Sequence, residues 1–475
     1  MALTCSIISL GCPKTLIDSE QMLGLLKAHG FDISCDVEDA DVVIINTCGF
    51  LAASRDEAMS EIRAMEQLRQ DPNARLKCLL VAGCLVSRDG EKLAQNCRCV
   101  DALLDVFSRD AVLEALQRTL GEQAMNGTDE PPLEKAPVAE EIPLGNCRFF
   151  RGTSEEIAND EFRFPLLPPH VAYLKIAEGC NRRCAFCAIP NIRGRYSSKP
   201  MPQVLAEARQ LAATGVKELV VIAQDTSFYG GDLQDGTTLA KLLPELAKIV
   251  GIQWIRILYL YPQNFGDDLI EALAETPKVV PYIDMPLQHI NDRILHSMRR
   301  ACTRQMTLDL LEKLRRRIPH LAIRTSFIVG YPGETQSEYD ELLAFARKQK
   351  FARVAVFPYS AEEGTPAAEL PGQIPEKVKT KRADKLIQTQ EKLSWEWAQF
   401  FFKEPQPVII DEAPLEKNGF YVGRTRFDAP DVDGRVFVTG KNLHVGDIVM
   451  CRIFDSCGSY EFIGESLGPV QETQP

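Results

Sequence analysis

The sequence predicts a multidomain α/β protein: an open parallel sheet at the N-terminus, a partial (β/α)6 barrel in the middle, and a small antiparallel β-barrel at the C-terminus. Three observations predict it. Residues 1–120 and 166–397 each alternate short β-rich apolar runs with helical patterning, as parallel sheets with crossover helices require. Residues 399–468 instead carry five short β-like runs separated by turn residues, which suits a small barrel. A length of 475 residues accommodates about three domains.

In the first domain, residues 1–120, the expected strands are Ser6–Leu10, Val42–Asn46 and Leu79–Ala82. Ser19–Lys27 and Ala53–Leu68 read as helices between them. Each strand runs into a cysteine: Cys12, Cys48 and Cys84, 36 residues apart in both steps. Ligands of an open parallel sheet bind outside the carboxyl ends of its strands. Three thiolates at three such ends converge on one point. Gly11, Gly49 and Gly83 adjoin them and let the backbone approach a bulky ligand. Buried cysteines are often only small hydrophobes, but three at matched positions point to a metal site. The nine cysteines outside this triad and the one below show no comparable pattern.

Residues 121–165 are rich in Pro and Glu, as in GTDEPPLEKAPVAEEIP, and read as a linker. The second domain, 166–397, has six expected strands: Ala172–Ile176, Glu218–Ala223, Trp254–Leu258, Tyr282–Met285, Ala322–Ile328 and Arg353–Phe357. Expected helices include Met201–Ala213, Leu239–Ile249, Phe265–Glu275, Thr307–Ile318 and Thr335–Lys348. In barrels of this type the chemistry sits at the C-terminal ends of the strands. The first strand delivers EGCNRRCAFCAIP, with Cys180, Cys184 and Cys187 spaced C-x3-C-x2-C. Thiolates are the usual protein ligands of iron–sulfur clusters. Three of them on a four-iron cube leave one iron open for a substrate or cofactor. A zinc site is the alternative, but it usually needs four closed ligands.

Other strand ends carry polar residues. Gln224 and Asp225 follow the second strand, Tyr259–Pro262 the third, and Gln288 and His289 the fourth. Ser326, Gly330, Gly333 and Glu334 mark the fifth. His289 reads as an ordinary hydrogen-bonded histidine and Asp225 equally as a loop cap. No catalytic side chain is assigned beyond the cluster ligands.

A helix from Glu376 to about Phe402 leads to the last domain. Its expected strands are Val408–Ile410, Phe420–Val422, Arg435–Val438, Ile448–Ile453 and Glu461–Ile463. From Glu404 to Pro475 there are 12 Asp/Glu against 6 Lys/Arg, and the whole chain carries a formal charge of −12. Phosphate binding favours the opposite balance, so an acidic enzyme with a basic partner is expected and tRNA is not. No stretch approaches the ~20 apolar residues of a membrane span, and the apolar start lacks a basic n-region. A cytoplasmic protein with reduced thiols is expected.

The C-x3-C-x2-C loop, with aromatic Phe186 before its third cysteine, resembles the cluster loop of radical S-adenosylmethionine enzymes. Ser326–Glu334 resembles their G-x-I-x-G-x-x-E adenine-binding stretch, with Ser326 in place of the first glycine and Glu334 one residue beyond the motif's last position. The terminal barrel resembles a TRAM module. Together the three parts resemble the methylthiotransferases. SLGCPK at 9–14, LKIAEGCN at 174–181, QDTSFYG at 224–230, MPLQH at 285–289 and GRTRFDAPDVDG at 423–434 resemble the branch that modifies an aspartate of the twelfth small-subunit ribosomal protein. The other branch, which modifies isopentenyladenosine in tRNA, lacks the DAPxxDG element. Thr15 departs from the asparagine usual after CPK, and Ser198-Lys199 from a usual Ser/Arg pair.

The resemblance implies two 4Fe-4S clusters, on Cys180/Cys184/Cys187 and on Cys12/Cys48/Cys84, and S-adenosylmethionine contacted by Phe186, Gln224, Ser326, Gly330 and Glu334. It implies that reductive cleavage of S-adenosylmethionine gives a 5′-deoxyadenosyl radical, which takes hydrogen from the aspartate β-carbon. The second cluster presents sulfur, and a second S-adenosylmethionine supplies the methyl group. The implied partners are the ribosomal protein or ribosome, an electron donor of flavodoxin or ferredoxin type, and a sulfur donor. The acidic terminal barrel and its Asp428–Gly434 stretch are expected to dock the basic ribosomal protein; the alternatives are that these aspartates only form turns and that the barrel only packs against the core. The alternatives are the tRNA branch and a non-radical iron–sulfur electron-transfer or scaffold protein.

Overall fold

The computed structural model describes residues 2–121, 139–153, 160, 162–416 and 419–470. The first unit is a seven-stranded sheet in the order β2-β1-β3-β4-β5-β7-β6. Its strands are β1 (Thr4–Ser9), β2 (Asp32–Ile33), β3 (Val42–Thr47), β4 (Cys78–Gly83), β5 (Ala102–Leu104), β6 (Glu140–Leu144) and β7 (Cys147–Arg151). All pairs are parallel except the β6/β7 hairpin. β3 and β4, VVIINT and CLLVAG, are buried at every position, as strands covered on both faces must be. Val42 and Ile44 face one core with Met22 and Leu26 of α1 (Pro13–Ala28). Val43 and Ile45 face the other with Ile62 and Met65 of α2 (Ala52–Gln70). α3 (Cys84–Asn96) and α4 (Val112–Leu120) complete the unit.

The reading of 121–165 as a linker needs correction. β6 and β7 lie inside it and extend the sheet, because Phe149 and Phe150 bury themselves in the two cores. Residues 122–138, 154–159 and 161 of that segment lie outside the described residues.

The second unit is a six-stranded parallel sheet whose neighbours follow chain order. It comprises β8 (Val171–Lys175), β11 (Glu218–Ile222), β12 (Trp254–Ile257), β13 (Val279–Asp284), β14 (Ala322–Val329) and β15 (Arg353–Pro358). β9 (Ala177–Glu178) and β10 (Ser197–Ser198) form a small antiparallel ribbon that closes the base of the cysteine loop. Helices α5 (Ile189–Arg193), α6 (Met201–Ala213), α7 (Leu239–Ala247), α8 (Asp267–Glu275), α9 (Asp292–Ser297), α10 (Arg304–Arg317) and α11 (Gln336–Gln349) connect the strands. Alternate residues face opposite ways. Leu219 and Val221 pack on the helices, while Val220 and Ile222 face a core shared with the last unit.

That last unit follows α12 (Glu376–Ala398). It is a closed barrel, β16 (Gln406–Glu412), β17 (Tyr421–Thr425), β18 (Arg435–Thr439), β20 (Glu461–Pro469) and β19 (Ile448–Ser456) in circular order. Its pairs are antiparallel except β18/β20, which is parallel. Phe401, Phe427 and Ala429 enter the core against Val220, Tyr282 and Ala322.

This packing overturns the expectation that Asp428–Gly434 is a docking surface. Asp428 is 1% exposed. Its carboxylate accepts from Arg353 at 2.5 Å and from the Thr425 hydroxyl at 2.6 Å. The Asp433 side chain is also 1% exposed and accepts from the Tyr282 hydroxyl at 2.6 Å. The acidic residues face arginines of the central sheet because the barrel fills the sheet's concave face. Asp431 alone of the three points to solvent, at a φ of 65°.

Candidate active site between the first two units

β1, β3 and β4 are adjacent strands, so the loops beyond them are adjacent too. Cys12 is the residue before α1, Cys48 follows β3, and Cys84 opens α3. Glycine permits this crowding. A Cβ on Gly11 would stand 2.8 Å from Cys48 Cβ and 3.5 Å from its Sγ. A Cβ on Gly83, at a φ of +96°, would stand 2.3 Å from Asn46 Oδ1. In the second triad, Cys187 N–H donates to the Cys184 carbonyl at 3.1 Å, and Arg182 N–H points at Cys180 Sγ at 3.4 Å.

All six cysteines line one cavity of about 340 Å³. Phe186 and Gln224 line it as well, with Lys14, Arg182, Arg193, Arg300, Tyr259 and Tyr261. Among the described residues no His, Cys, Asp and Glu side chains group to hold a lone metal ion; the sulfurs are instead distributed over the cavity wall. Burial pushes the Cys84 and Cys180 thiols up to about 11 and Cys187 to about 12. Burial opposes Cys12 ionisation too, yet the charges of Lys14 and Arg193 and bonds from Thr15 carry that thiol below its ordinary value. Two cysteine triads, a glycine cradle and four cations around one cavity fit two thiolate-held anionic clusters.

Ser326, Gly330 and Glu334 do not line the cavity. Ser326 lies on β14, and its carbonyl accepts from Gln288 N–H at 2.8 Å. Glu334 is buried. It accepts from Gly330 N–H at 2.6 Å, pairs with Arg382, and meets His289 Nε2 at 3.1 Å. The structure thus gives this carboxylate an internal duty: it fixes the turn after β14. His289 is a hydrogen-bonded core histidine. Asp225 is not merely a cap, because it holds Arg182 at 2.8 Å.

The two units are joined by a charge network that sequence reasoning missed. Asp18 of α1 meets Arg109 at 2.7 Å, Lys175 at 3.0 Å and Arg193 at 3.0 Å. Arg193 also bonds Glu178 at 3.0 Å and reaches Cys84 Sγ at 3.2 Å. Asp160 links Arg109 at 2.7 Å to Lys199 at 2.6 Å. Burial penalises Asp18 and Glu178, but the cations around them hold both carboxyls below their ordinary values. Ionic residues carry no sequence sign that they point inward, so only the fold exposes this set. On the far side, Glu362 accepts from Ala52 N–H at 3.0 Å and pairs with Arg55 at 2.6 Å.

Comparison with known proteins agrees with this architecture. The chain matches the Radical SAM superfamily over residues 174–346, an uncharacterized protein family, UPF0004, over 4–105, and the TRAM domain over 404–466. It is 41% identical over 460 residues to the ribosomal protein uS12 methylthiotransferase RimO of Pelobacter propionicus, covering 97% of each chain. It is 40% identical over 462 residues to that of Desulforamulus reducens, covering 97% of this chain and 98% of the relative. In fold it resembles the radical S-adenosylmethionine methyltransferase TsrM of Kitasatospora setae, with a TM-score of 0.54 at 14% identity, over 77% of this chain and 75% of that one. Among the described residues no helix is long and apolar enough to cross a membrane. With this identity running nearly end to end, through both cysteine-bearing units and the terminal barrel, the chain belongs to the ribosomal protein uS12 methylthiotransferase family.

Proposed function

We propose that this enzyme adds a methylthio group to the β-carbon of an aspartate in ribosomal protein uS12. The observation that carries the reading is the single cavity faced by both cysteine triads. Cys180, Cys184 and Cys187 would hold one 4Fe-4S cluster, and Cys12, Cys48 and Cys84 the other. When bound, these groups supply the radical, the sulfur and the methyl group.

The chain's own residues bind, orient and insulate. Tyr259, Tyr261, Phe186 and Ile192 wall the cavity and limit water around a reactive intermediate. Arg193 ties the first triad to the central unit through Cys84 and Glu178. Gln224, on the cavity wall, donates to Glu178 Oε1 at 2.9 Å, and its own buried Oε1 has no hydrogen-bond partner among the described residues. Arg182, anchored by Asp225, stacks 4.1 Å from the Tyr261 ring centroid and braces the cysteine loop. No side chain here is asked to remove the β-hydrogen as a proton, since that C–H is too weakly acidic.

The enzyme works in the cytoplasm, with uS12 met free or on the ribosome. A flavodoxin- or ferredoxin-type protein supplies electrons, and a separate donor replenishes sulfur. The test offers the reduced, anaerobic enzyme both uS12 and isopentenyladenosine-bearing tRNA. Mass spectrometry should find a methylthio group on the uS12 aspartate alone. A gain on the tRNA with none on uS12 would promote the tRNA branch.

A further inference from the structure

Four cations line the cavity: Lys14, Arg182, Arg193 and Arg300. Three are engaged. Arg193 is held by Asp18 and Glu178. Arg182 bonds Asp225 at 2.8 Å and Gln263 at 2.7 Å. Arg300 donates to the Pro286 carbonyl, stacks 4.1 Å from the Tyr261 ring centroid and lies 3.9 Å from Cys184 Sγ. Lys14 differs. It is 6% exposed, and its ammonium rests 3.3 Å from the Tyr259 ring centroid. Its ammonium makes no hydrogen bond or ion pair with any described residue; the charges of Cys12, Glu178 and Asp284 act on it only from beyond contact distance.

A buried ammonium with no anion in direct contact is costly to keep. A ring face offsets only part of the lost hydration. Such a group suits a ligand that arrives with its own negative charge. Lys14 lies on the wall of the Cys12 triad, two residues past Cys12, whereas Arg300 lies against the Cys184 side. A carboxylate held by Lys14 would therefore sit toward the first unit, away from the loop whose open iron takes the cofactor.

We propose that Lys14 binds the side-chain carboxylate of the substrate aspartate and so makes the enzyme select aspartate over asparagine. This inference rests on the aspartate reading above. The carboxylate is one bond from the carbon that reacts. Holding it fixes the β-carbon between the two triads, the kind of positioning that raises effective concentration. A charge-assisted bond in a dry site discriminates strongly between an acid and its amide, because the amide leaves the cation unpaired.

The test uses the reconstituted, cluster-loaded enzyme with S-adenosylmethionine and two peptides carrying the uS12 target site, one with Asp and one with Asn. Dissociation constants are measured for wild type, Lys14→Met and Lys14→Arg. Wild type should prefer the Asp peptide by roughly tenfold to a hundredfold, the range of a charged hydrogen bond. Lys14→Met should bring the ratio to within about twofold, and Lys14→Arg should restore much of it. Both peptides meet the same preparation, so a reduced folded fraction cancels in the ratio. The affinity for S-adenosylmethionine is measured in parallel. A Lys14→Met enzyme that keeps the wild-type ratio overturns the proposal: Lys14 then only offsets cluster charge or, if cofactor affinity has fallen, binds the cofactor's carboxylate. A wild type that binds neither peptide overturns the aspartate reading itself, and the role of Lys14 with it.

Discussion

Asp18 shows how one side chain can join two units. Three cations from three elements converge on it, and it is 4% exposed. Breaking a buried ion network by removing one partner costs about 3–5 kcal/mol, because the remaining charges stay desolvated. Asp18→Ala should lower stability by about that amount, read as a denaturant-midpoint shift, with Asp18→Asn recovering part through its hydrogen bonds. The network also sets an acid limit. Glu178 and Asp18 titrate below their ordinary values of 4.5 and 3.8 in the folded protein. A carboxyl lowered on folding contributes stability that is complete above the unfolded value and is lost as pH falls through the folded one. The melting temperature should therefore fall from about pH 5 downward, and fall less in Glu178→Gln. An equal acid response in that variant would remove Glu178 from the account.

The β–loop–α junctions place both triads, and their positions are legible in the amino-acid order alone. Buried β-rich runs ending in Cys12, Cys48 and Cys84 predict three adjacent strand ends, and β1, β3 and β4 are adjacent. The six strands of the central sheet are legible for the same reason: each is a short β-rich run between helical patterns. β5, β6 and β7 are not. β5 has only three residues, and β6 and β7 sit in polar surroundings where composition suggests a linker. Asp428 and Asp433 mislead differently. Their acidity suggests a surface, whereas Arg353, Arg324 and Tyr282 receive them inside. Charge reads as exposure unless its partner is known, and these partners lie far away in the chain. Asp428→Ala should thus destabilise the junction between the central sheet and the barrel by about 3–5 kcal/mol by stranding Arg353. Asp431→Lys on the exposed turn should stay within about 0.5 kcal/mol. Similar losses in both variants would mean that Asp428 has no special structural duty.

At the scale of the whole molecule, three units make one site by division of labour. The terminal barrel fills the concave face of the central sheet near Val220 and Tyr282. The first unit covers the other end, bringing its triad to the cysteine loop. The cavity between them is foreseeable only in part. The six cysteines are visible as two motifs, but nothing in their spacing shows that the motifs face each other. That depends on Asp18, Arg193 and Glu362, contacts between residues far apart in sequence. Ser326, Gly330 and Glu334 mark the opposite case. Their motif is legible, yet the structure places Glu334 in a bonded turn rather than on the cavity wall.

The central claim is that each triad holds its own cluster beside one shared cavity. Iron counting with Mössbauer spectroscopy on anaerobically reconstituted protein tests it most directly. Wild type should hold about eight irons, as two 4Fe-4S cubes require. Replacing Cys180, Cys184 and Cys187 with Ala should leave about four, and so should replacing Cys12, Cys48 and Cys84. A triple variant that keeps the full wild-type iron would contradict the account.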